Sequence, residues 1–271
     1  MINPVAALAP SAKGRAGARW SWTRCINIDI NAYLPQETPM PKDASLEPVE
    51  AMAARNPRRV PGESDAYRAA RQALLAMEYA QRRMNEEVAE ARRALPEGPQ
   101  VRDYTFTGEA GEVRLSGLFG PHDTLIVYSY MFGPQRKAPC PMCTSLMTAS
   151  AGRVRSVRKN AAIVFVARSP IERLVAAKRD FGMPDLPVVS DGSGDYTADW
   201  VGDRDADMPA LNVFTRRDGV LRLFWSAEGG EADPGQDPRG AVEFDPLWAF
   251  LDITPRGRRP DWYPSLEELR A

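Results

Sequence analysis

Two rhythms of apolar and polar positions divide the chain. Between Ser64 and Leu95, the positions Tyr67, Ala70, Leu74, Met77, Gln81, Met84, Val88, Ala91 and Leu95 recur at alternating steps of three and four. That heptad spacing predicts one long helix. Ser64 after Pro61-Gly62 is its N-cap, and Pro96 ends it. The remaining faces carry Arg71, Arg82, Arg83, Glu86, Glu87, Glu90, Arg92 and Arg93. Ala70, Gln81 and Ala91 weaken the stripe as an intermolecular seam. The favoured expectation is therefore that it docks on its own domain, and pairing with a second chain stays open.

After the linker at 96–100 the rhythm shortens. Tyr104-Thr105-Phe106 and Glu112 to Leu115 alternate around Gly108 and Gly111, which predicts a hairpin. Leu125 to Tyr130 and Ala161 to Ala167 are continuous apolar runs, as expected of buried central strands. Helices are predicted over Thr144 to Val157 and over Ile171 to Phe181. The second is capped by Ser169, has Pro170 in its first turn and is closed by Gly182. Leu186 to Ser190 is a short strand or turn, and Asp191 to Asp207 is rich in Gly and Asp and predicts a loop. Ala210 to Phe214 and Val220 to Trp225 flank Asp218-Gly219, a strong hairpin signal. A polar loop over Gly229 to Gly240 leads to a last amphipathic helix, Pro246 to Ile253. Trp225, Trp248 and Phe250 are expected as core anchors. This order is α/β with one mixed sheet, its first two central strands parallel.

Ends and composition add limits. Residues 1 to 45 hold no sustained period and predict a flexible leader, with Trp20, Trp22, Ile26, Ile28 and Ile30 as a candidate edge strand. The organisation is thus leader 1–45, helical arm and linker 46–100, α/β domain 101–255 and a polar tail 256–271. A formal net charge of −1 points to neither nucleic acid nor an anionic membrane. No apolar run approaches the roughly 20 residues that span a bilayer. The opening stretch lacks the basic region of a secretory signal, so a cytoplasmic location is expected.

The chemistry rests on few residues. There are 3 cysteines and 1 histidine. In a reducing compartment the close pair in Cys140-Pro141-Met142-Cys143 is expected to be catalytic or metal-binding rather than a structural staple. It follows a buried strand and opens a helix. Cys140 there sits beside unpaired N–H groups at the positive end of the helix dipole, which favours thiolate. Pro141 suits the first turn, and Arg136 and Lys137 are candidates to stabilise the charge. Cys143, one turn on, can reach Cys140, so the pair is read as nucleophile and resolver of a disulfide exchange. Met208-Pro209 precedes the strand Ala210 to Phe214, where thioredoxins place a cis-proline opposite the active cysteine. A cis bond is therefore expected there, with Met208, Pro209, Pro141 and Met142 lining the substrate groove.

The stretches Tyr130-Met131-Phe132-Gly133-Pro134, Ala167-Arg168-Ser169-Pro170-Ile171, Leu211-Asn212-Val213-Phe214 and Leu251-Asp252-Ile253-Thr254-Pro255-Arg256-Gly257-Arg258 resemble the bacterial family of domain of unknown function 899. The resemblance runs from about Ser64 to Asp261. It implies a thioredoxin-like mixed sheet with flanking helices behind the long N-terminal helix, related to the alkyl hydroperoxide reductase group, and dithiol–disulfide oxidoreductase activity. The chain departs from thioredoxins in having Pro139 rather than Trp before Cys140, a proline directly after the first cysteine, and a longer loop at Gly133 to Pro139.

Other readings are weaker. Zinc needs about four ligands, and Cys25, Cys140, Cys143 and His122 are scattered, so no metal is expected and His122 is read as a turn residue. The Pro-x-x-x-Thr/Ser-x-x-Cys signature of a peroxiredoxin fits neither cysteine, which leaves a peroxiredoxin-like peroxidase as an alternative. A redox-sensing or binding protein without turnover is another. Asp199, Asp203, Asp205 and Asp207 lack the pattern of a calcium loop and are read as solvated. No organic cofactor is implied. The expected partners are a disulfide-bearing protein or small disulfide, a thiol reductant, and, through the 64–95 helix, a second copy.

Overall fold

The computed structural model describes residues 46–227, 244–259 and 261–270. The leader with Cys25, the candidate strand at 20–30 and the loop at 229–240 lie outside them. The chain divides after Gln81 into two compact units.

In the first unit, α1 (Val49–Ala54), which the sequence reading did not anticipate, precedes the start of α2 (Asp65–Arg93). The Oγ of Ser64 accepts the Tyr67 N–H at 3.2 Å, as the predicted cap requires. Along the heptad stripe, Tyr67, Leu74, Met77, Met84, Val88 and Leu95 are all exposed, Met77 by 69 %. The covered side bears Arg68, Arg71, Gln72, Leu75 and Ala76 instead. Its arginines make hydrogen bonds that the stripe residues cannot. Arg68 donates to the carbonyls of Arg58 and Asn56, and Arg71 pairs with Glu63 at 2.6 Å.

The second unit is built on a seven-stranded sheet. Its strands are β1 (Thr105–Gly108), β2 (Gly111–Arg114), β3 (Thr124–Ser129), β4 (Ala162–Ala167), β5 (Val188–Ser190), β6 (Ala210–Arg217) and β7 (Val220–Ser226), in the order β2-β1-β5-β4-β3-β6-β7. The two buried runs pair in parallel as predicted, Leu125 beside Ala162 and Ser129 beside Val166. β5 joins β4 in parallel, while β6 runs antiparallel to β3 and β7 to β6. Asp218 (φ 49°) and Gly219 (φ 77°) form the hairpin turn, whose two positive φ angles suit the right-handed twist of the flanking strands.

Helices α3 (Leu115–Leu118), α4 (Pro141–Ala151), α5 (Val154–Val157), α6 (Ile171–Asp180), α7 (Asp195–Trp200) and α8 (Pro246–Asp252) flank the sheet. A strand–helix–strand unit, then a hairpin and a final helix, around the strand order β4-β3-β6-β7 is the thioredoxin-like arrangement. The period-2 alternation of β3 and β4 assigns a core to each face. Leu125, Val127, Val164 and Val166 meet Phe106, Leu115, Phe119, Tyr196 and Phe214 on one side. Phe165 and Ala167 meet Cys143, Met147, Leu174 and Phe181 on the other. Each such Leu or Phe contributes roughly 1.5–3 kcal/mol on leaving water.

Several expectations change. The helix predicted over Thr144 to Val157 starts at Pro141 and breaks at Gly152 into α4 and α5. The expected loop over 191–207 contains α7. Its polar residues build that helix: the buried Asp191 accepts the Thr197 N–H at 2.8 Å and the Thr197 hydroxyl at 2.6 Å. Ser169 does not cap α6; Pro170 holds that position, and the Ser169 hydroxyl is used elsewhere. Trp248 is buried as expected, but Phe250 is 68 % exposed. The C-terminal segment is not wholly polar in its contacts, since Leu266 and Leu269 pack on the second core.

Candidate active site

Cys140 sits where the chain leaves an extended conformation (φ −66°, ψ 130°) and enters α4. Its own N–H donates to the Met131 carbonyl at 2.9 Å. Its carbonyl accepts both the N–H and the hydroxyl of Thr144, at 2.9 and 2.8 Å. Pro141 has no N–H to offer. The first free amides, those of Met142 and Cys143, serve the Cys140 sulfur. Cys143 follows on the inner side of the helix, 3 % exposed, beside Tyr128 and Tyr130. Both thiols are free.

Their environments push the two thiols apart. The hydrogen bond from the Cys143 thiol lowers Cys140 most. Burial opposes it, and the two backbone amides and the Arg136 charge add to it, bringing Cys140 from 9.0 to about 6. Cys143 goes the other way: the bond it gives Cys140, its burial and the Cys140 charge all hold it protonated. The Tyr128 phenol hydrogen-bonds Cys143 and is itself pushed up, chiefly by burial. The arrangement is a half-exposed thiolate backed by a buried thiol, which is the division of labour disulfide exchange needs.

The structure gathers Cys140, Pro141, Met142, Cys143 and Arg136 in one place. Lys137 is exposed, and the cation that acts on Cys140 is Arg136. Met208 and Pro209, both exposed, lie just ahead of β6, whose first residue Ala210 pairs with Ser129 at the end of β3. The expected cis bond is absent: the Met208–Pro209 peptide is trans. Trans is the lower state of an X–Pro bond by about 0.5–1 kcal/mol. Asp207, one residue before Met208, is anchored to the loop after β3.

That anchoring is what the sequence reading missed. Asp207, read as solvated, accepts the Gly133 N–H at 2.9 Å and pairs with Arg136. Ser169 donates to the Gly133 carbonyl at 3.1 Å. Arg173 reaches the Pro134 carbonyl at 3.2 Å and the Arg136 carbonyl, with its guanidinium 4.6 Å over the Phe132 ring. The signal was present in the stretches Tyr130–Pro134 and Ala167–Ile171, which meet here. A separate open cavity of about 420 Å³ at the β1–β5 edge, lined by Arg102, Tyr104, Ser190, Gly192 and Asp195, includes neither cysteine.

The model of a family described as "Bacterial protein of unknown function (DUF899)" matches residues 57–269. No curated protein matches. Among solved structures, the peroxidoxin BcpB of Mycobacterium tuberculosis is 19 % identical with a TM-score of 0.38, covering 49 % of this chain and 85 % of that one. A Chlorobium tepidum chain assigned as DsbE, a thiol:disulfide interchange protein, is 18 % identical with a TM-score of 0.37, covering 57 % and 97 %. An uncharacterized conserved protein from Geobacillus kaustophilus is 14 % identical with a TM-score of 0.39, covering 63 % and 94 %. The fold stands on the strand order and register above rather than on these scores.

Proposed function

We propose that this chain, which belongs to the bacterial DUF899 family, is a thiol–disulfide oxidoreductase acting through Cys140 and Cys143. One observation carries the reading: the half-exposed Cys140 caps α4 and the buried Cys143 lies three residues on, environments that lower the first thiol and hold the second protonated. The Cys140 thiolate attacks a substrate disulfide, forming a mixed disulfide and releasing one substrate thiolate. The Cys140 charge that kept Cys143 protonated is then gone. Cys143 loses its proton and attacks Cys140, releasing the second substrate thiol and leaving a Cys140–Cys143 disulfide. Two electrons pass to the substrate, and an external thiol protein or glutathione restores the dithiol. Met142 and the exposed Met208-Pro209 supply an apolar surface for the substrate, and the location on this reading is cytoplasmic. Among the described residues no helix is long and apolar enough to cross a membrane.

The test is the Cys140–Cys143 reduction potential, measured by thiol trapping in graded glutathione buffers. A value between about −270 and −200 mV, the thioredoxin-to-glutaredoxin range, is expected. No disulfide at any poise would move the reading to a binding protein. Rapid peroxide consumption requiring Cys140 would move it to the peroxidase class.

The partner reading includes a second copy. The exposed stripe of α2 keeps heptad spacing along a 29-residue helix, about 43 Å long. Pairing with itself would cover Leu74, Met77 and Met84 and set Gln81 against Gln81 at mid-length, where one polar pair fixes register. Sedimentation at micromolar concentration is expected to give a dimer that Met77→Glu dissociates. A wild-type monomer sinks this part alone.

A further inference from the structure

We propose that Asp207 is the positioning residue for the Cys140 thiolate, acting by holding Arg136 in place. The proposal rests on Cys140 being the attacking thiolate, but its test does not need turnover.

Asp207 lies in the segment that leads into β6, far in sequence from the cysteines, and its carboxylate is divided between two jobs. One oxygen accepts the Gly133 N–H at 2.9 Å, and the other takes the Nε of Arg136. The approach is close: a Cβ at Gly133 would stand 3.3 Å from the carboxylate. The pair is largely shielded, with 34 % of the Arg136 side chain and 28 % of the Asp207 side chain exposed. It is therefore less screened than an open surface pair. The Arg136 backbone is fixed as well: its N–H donates to the Gly133 carbonyl at 3.1 Å and its own carbonyl accepts from Arg173. With backbone and guanidinium both tied, Arg136 keeps one site beside Cys140.

Among the described residues, the largest influences on the Cys140 sulfur are the Cys143 thiol and two amides from α4 and Arg136 from the loop, while the Tyr128 phenol from β3 and the Asp245 carboxyl at the start of α8 act beside the same pair. Asp207 has two opposed effects on that set. Its charge alone would raise the thiol, and its grip on Arg136 lowers it. Untethered, the long Arg136 side chain would spread over several rotamers, so the grip is the larger effect. The same segment carries Met208 and Pro209, so the contact also fixes the substrate-facing lead of β6 against the loop that bears the nucleophile.

The experiment follows alkylation of Cys140 by iodoacetamide against pH in the full-length reduced protein, with mass spectrometry resolving the Cys140 peptide from Cys25 and Cys143. Asp207→Ala is expected to raise the alkylation midpoint by about half a pH unit, and Arg136→Gln by at least as much. The double variant should sit at or slightly below Arg136→Gln alone, because once the cation is gone only the raising effect of the Asp207 charge is left to lose. Asp207→Asn has one acceptor oxygen where the carboxylate has two, so it can keep Gly133 but turns an NH2 towards the Arg136 Nε, and its midpoint should rise as in Asp207→Ala. An unmoved or lowered midpoint in Asp207→Ala or Asp207→Asn, or a double variant raised above Arg136→Gln, each overturns the proposal. If Asp207→Ala does not fold, the Asp207→Asn and Arg136→Gln arms still decide it. Since no disulfide substrate is used, a protein that fails to exchange disulfides yet shows these shifts refutes the oxidoreductase reading and leaves the positioning role standing.

Discussion

Cys140→Ser is expected to lower disulfide reduction by about 10³-fold or more, and Cys143→Ser to stop the reaction one step later. Serine keeps the size of the side chain but stays protonated at neutral pH, so nothing attacks the substrate sulfur. Cys143→Ser leaves the attack intact and removes the resolver. The expected product is a stable mixed disulfide on Cys140, seen as an adduct by mass spectrometry under non-reducing conditions. Buried Cys143 is well placed to resolve and badly placed to attack, being 3 % exposed. The two variants therefore differ in kind. Equal residual activity in both, or an adduct on Cys143 in Cys140→Ser, would contradict the assigned order. Turnover surviving Cys140→Ser would remove the mechanism altogether.

The second large effect is in pH. With Cys140 at about 6 against an ordinary 9.0, roughly nine-tenths of it is thiolate at pH 7, where an ordinary thiol has about one-hundredth. A less basic thiolate is also a weaker nucleophile. With a Brønsted slope of about 0.4–0.5, a difference of about three pH units costs roughly 20-fold per thiolate. The net advantage over a free cysteine in alkylation is about fourfold at pH 7 and about 40-fold at pH 5. Measuring both pH values against a model thiol checks this, and equal rates at pH 5 would contradict the lowered thiol.

The same shift links to stability, with a definite sign. Cys140 is lowered on folding, so its contribution is complete above about 9 and is lost as pH falls through about 6. Cys143 is raised, so its contribution is complete below about 9 and fades above it. The reduced protein should gain stability between about pH 6 and 9 and lose it beyond, a profile that the Cys140–Cys143 disulfide form lacks.

Local chemistry was legible wherever one stretch of chain encodes it. The apolar runs of β3 and β4 required buried strands, Asp218-Gly219 required a tight hairpin, and Cys140 before Pro141 required a helix start. Each signal lies within a few residues and is set by backbone geometry. The contrast between Cys140 and Cys143 was half legible: the N-cap position was visible, while the burial of Cys143 against Tyr128 and Tyr130 required knowing which face of α4 meets the sheet.

The misreadings share one cause. Asp191 and Asp207 sit in a Gly- and Asp-rich stretch whose composition says solvent, yet one builds α7 and the other holds Gly133 and Arg136. Acidic side chains are polar whether they meet water or a guanidinium, so composition cannot tell the two apart. The heptad stripe of α2 fixed a helix but not its orientation, because Arg68 and Arg71 chose the covered side through hydrogen bonds to Arg58, Asn56 and Glu63. By itself, then, the sequence determined the sheet's central strands, the Ser64 and Cys140 helix caps and the cysteine pair, all products of local periodicity and capping. Only the tertiary structure decided the cation that tunes the nucleophile and the carboxylate that holds it, because Arg136 and Asp207 are brought together by the pairing of β3 with β6 and by nothing near them in the chain.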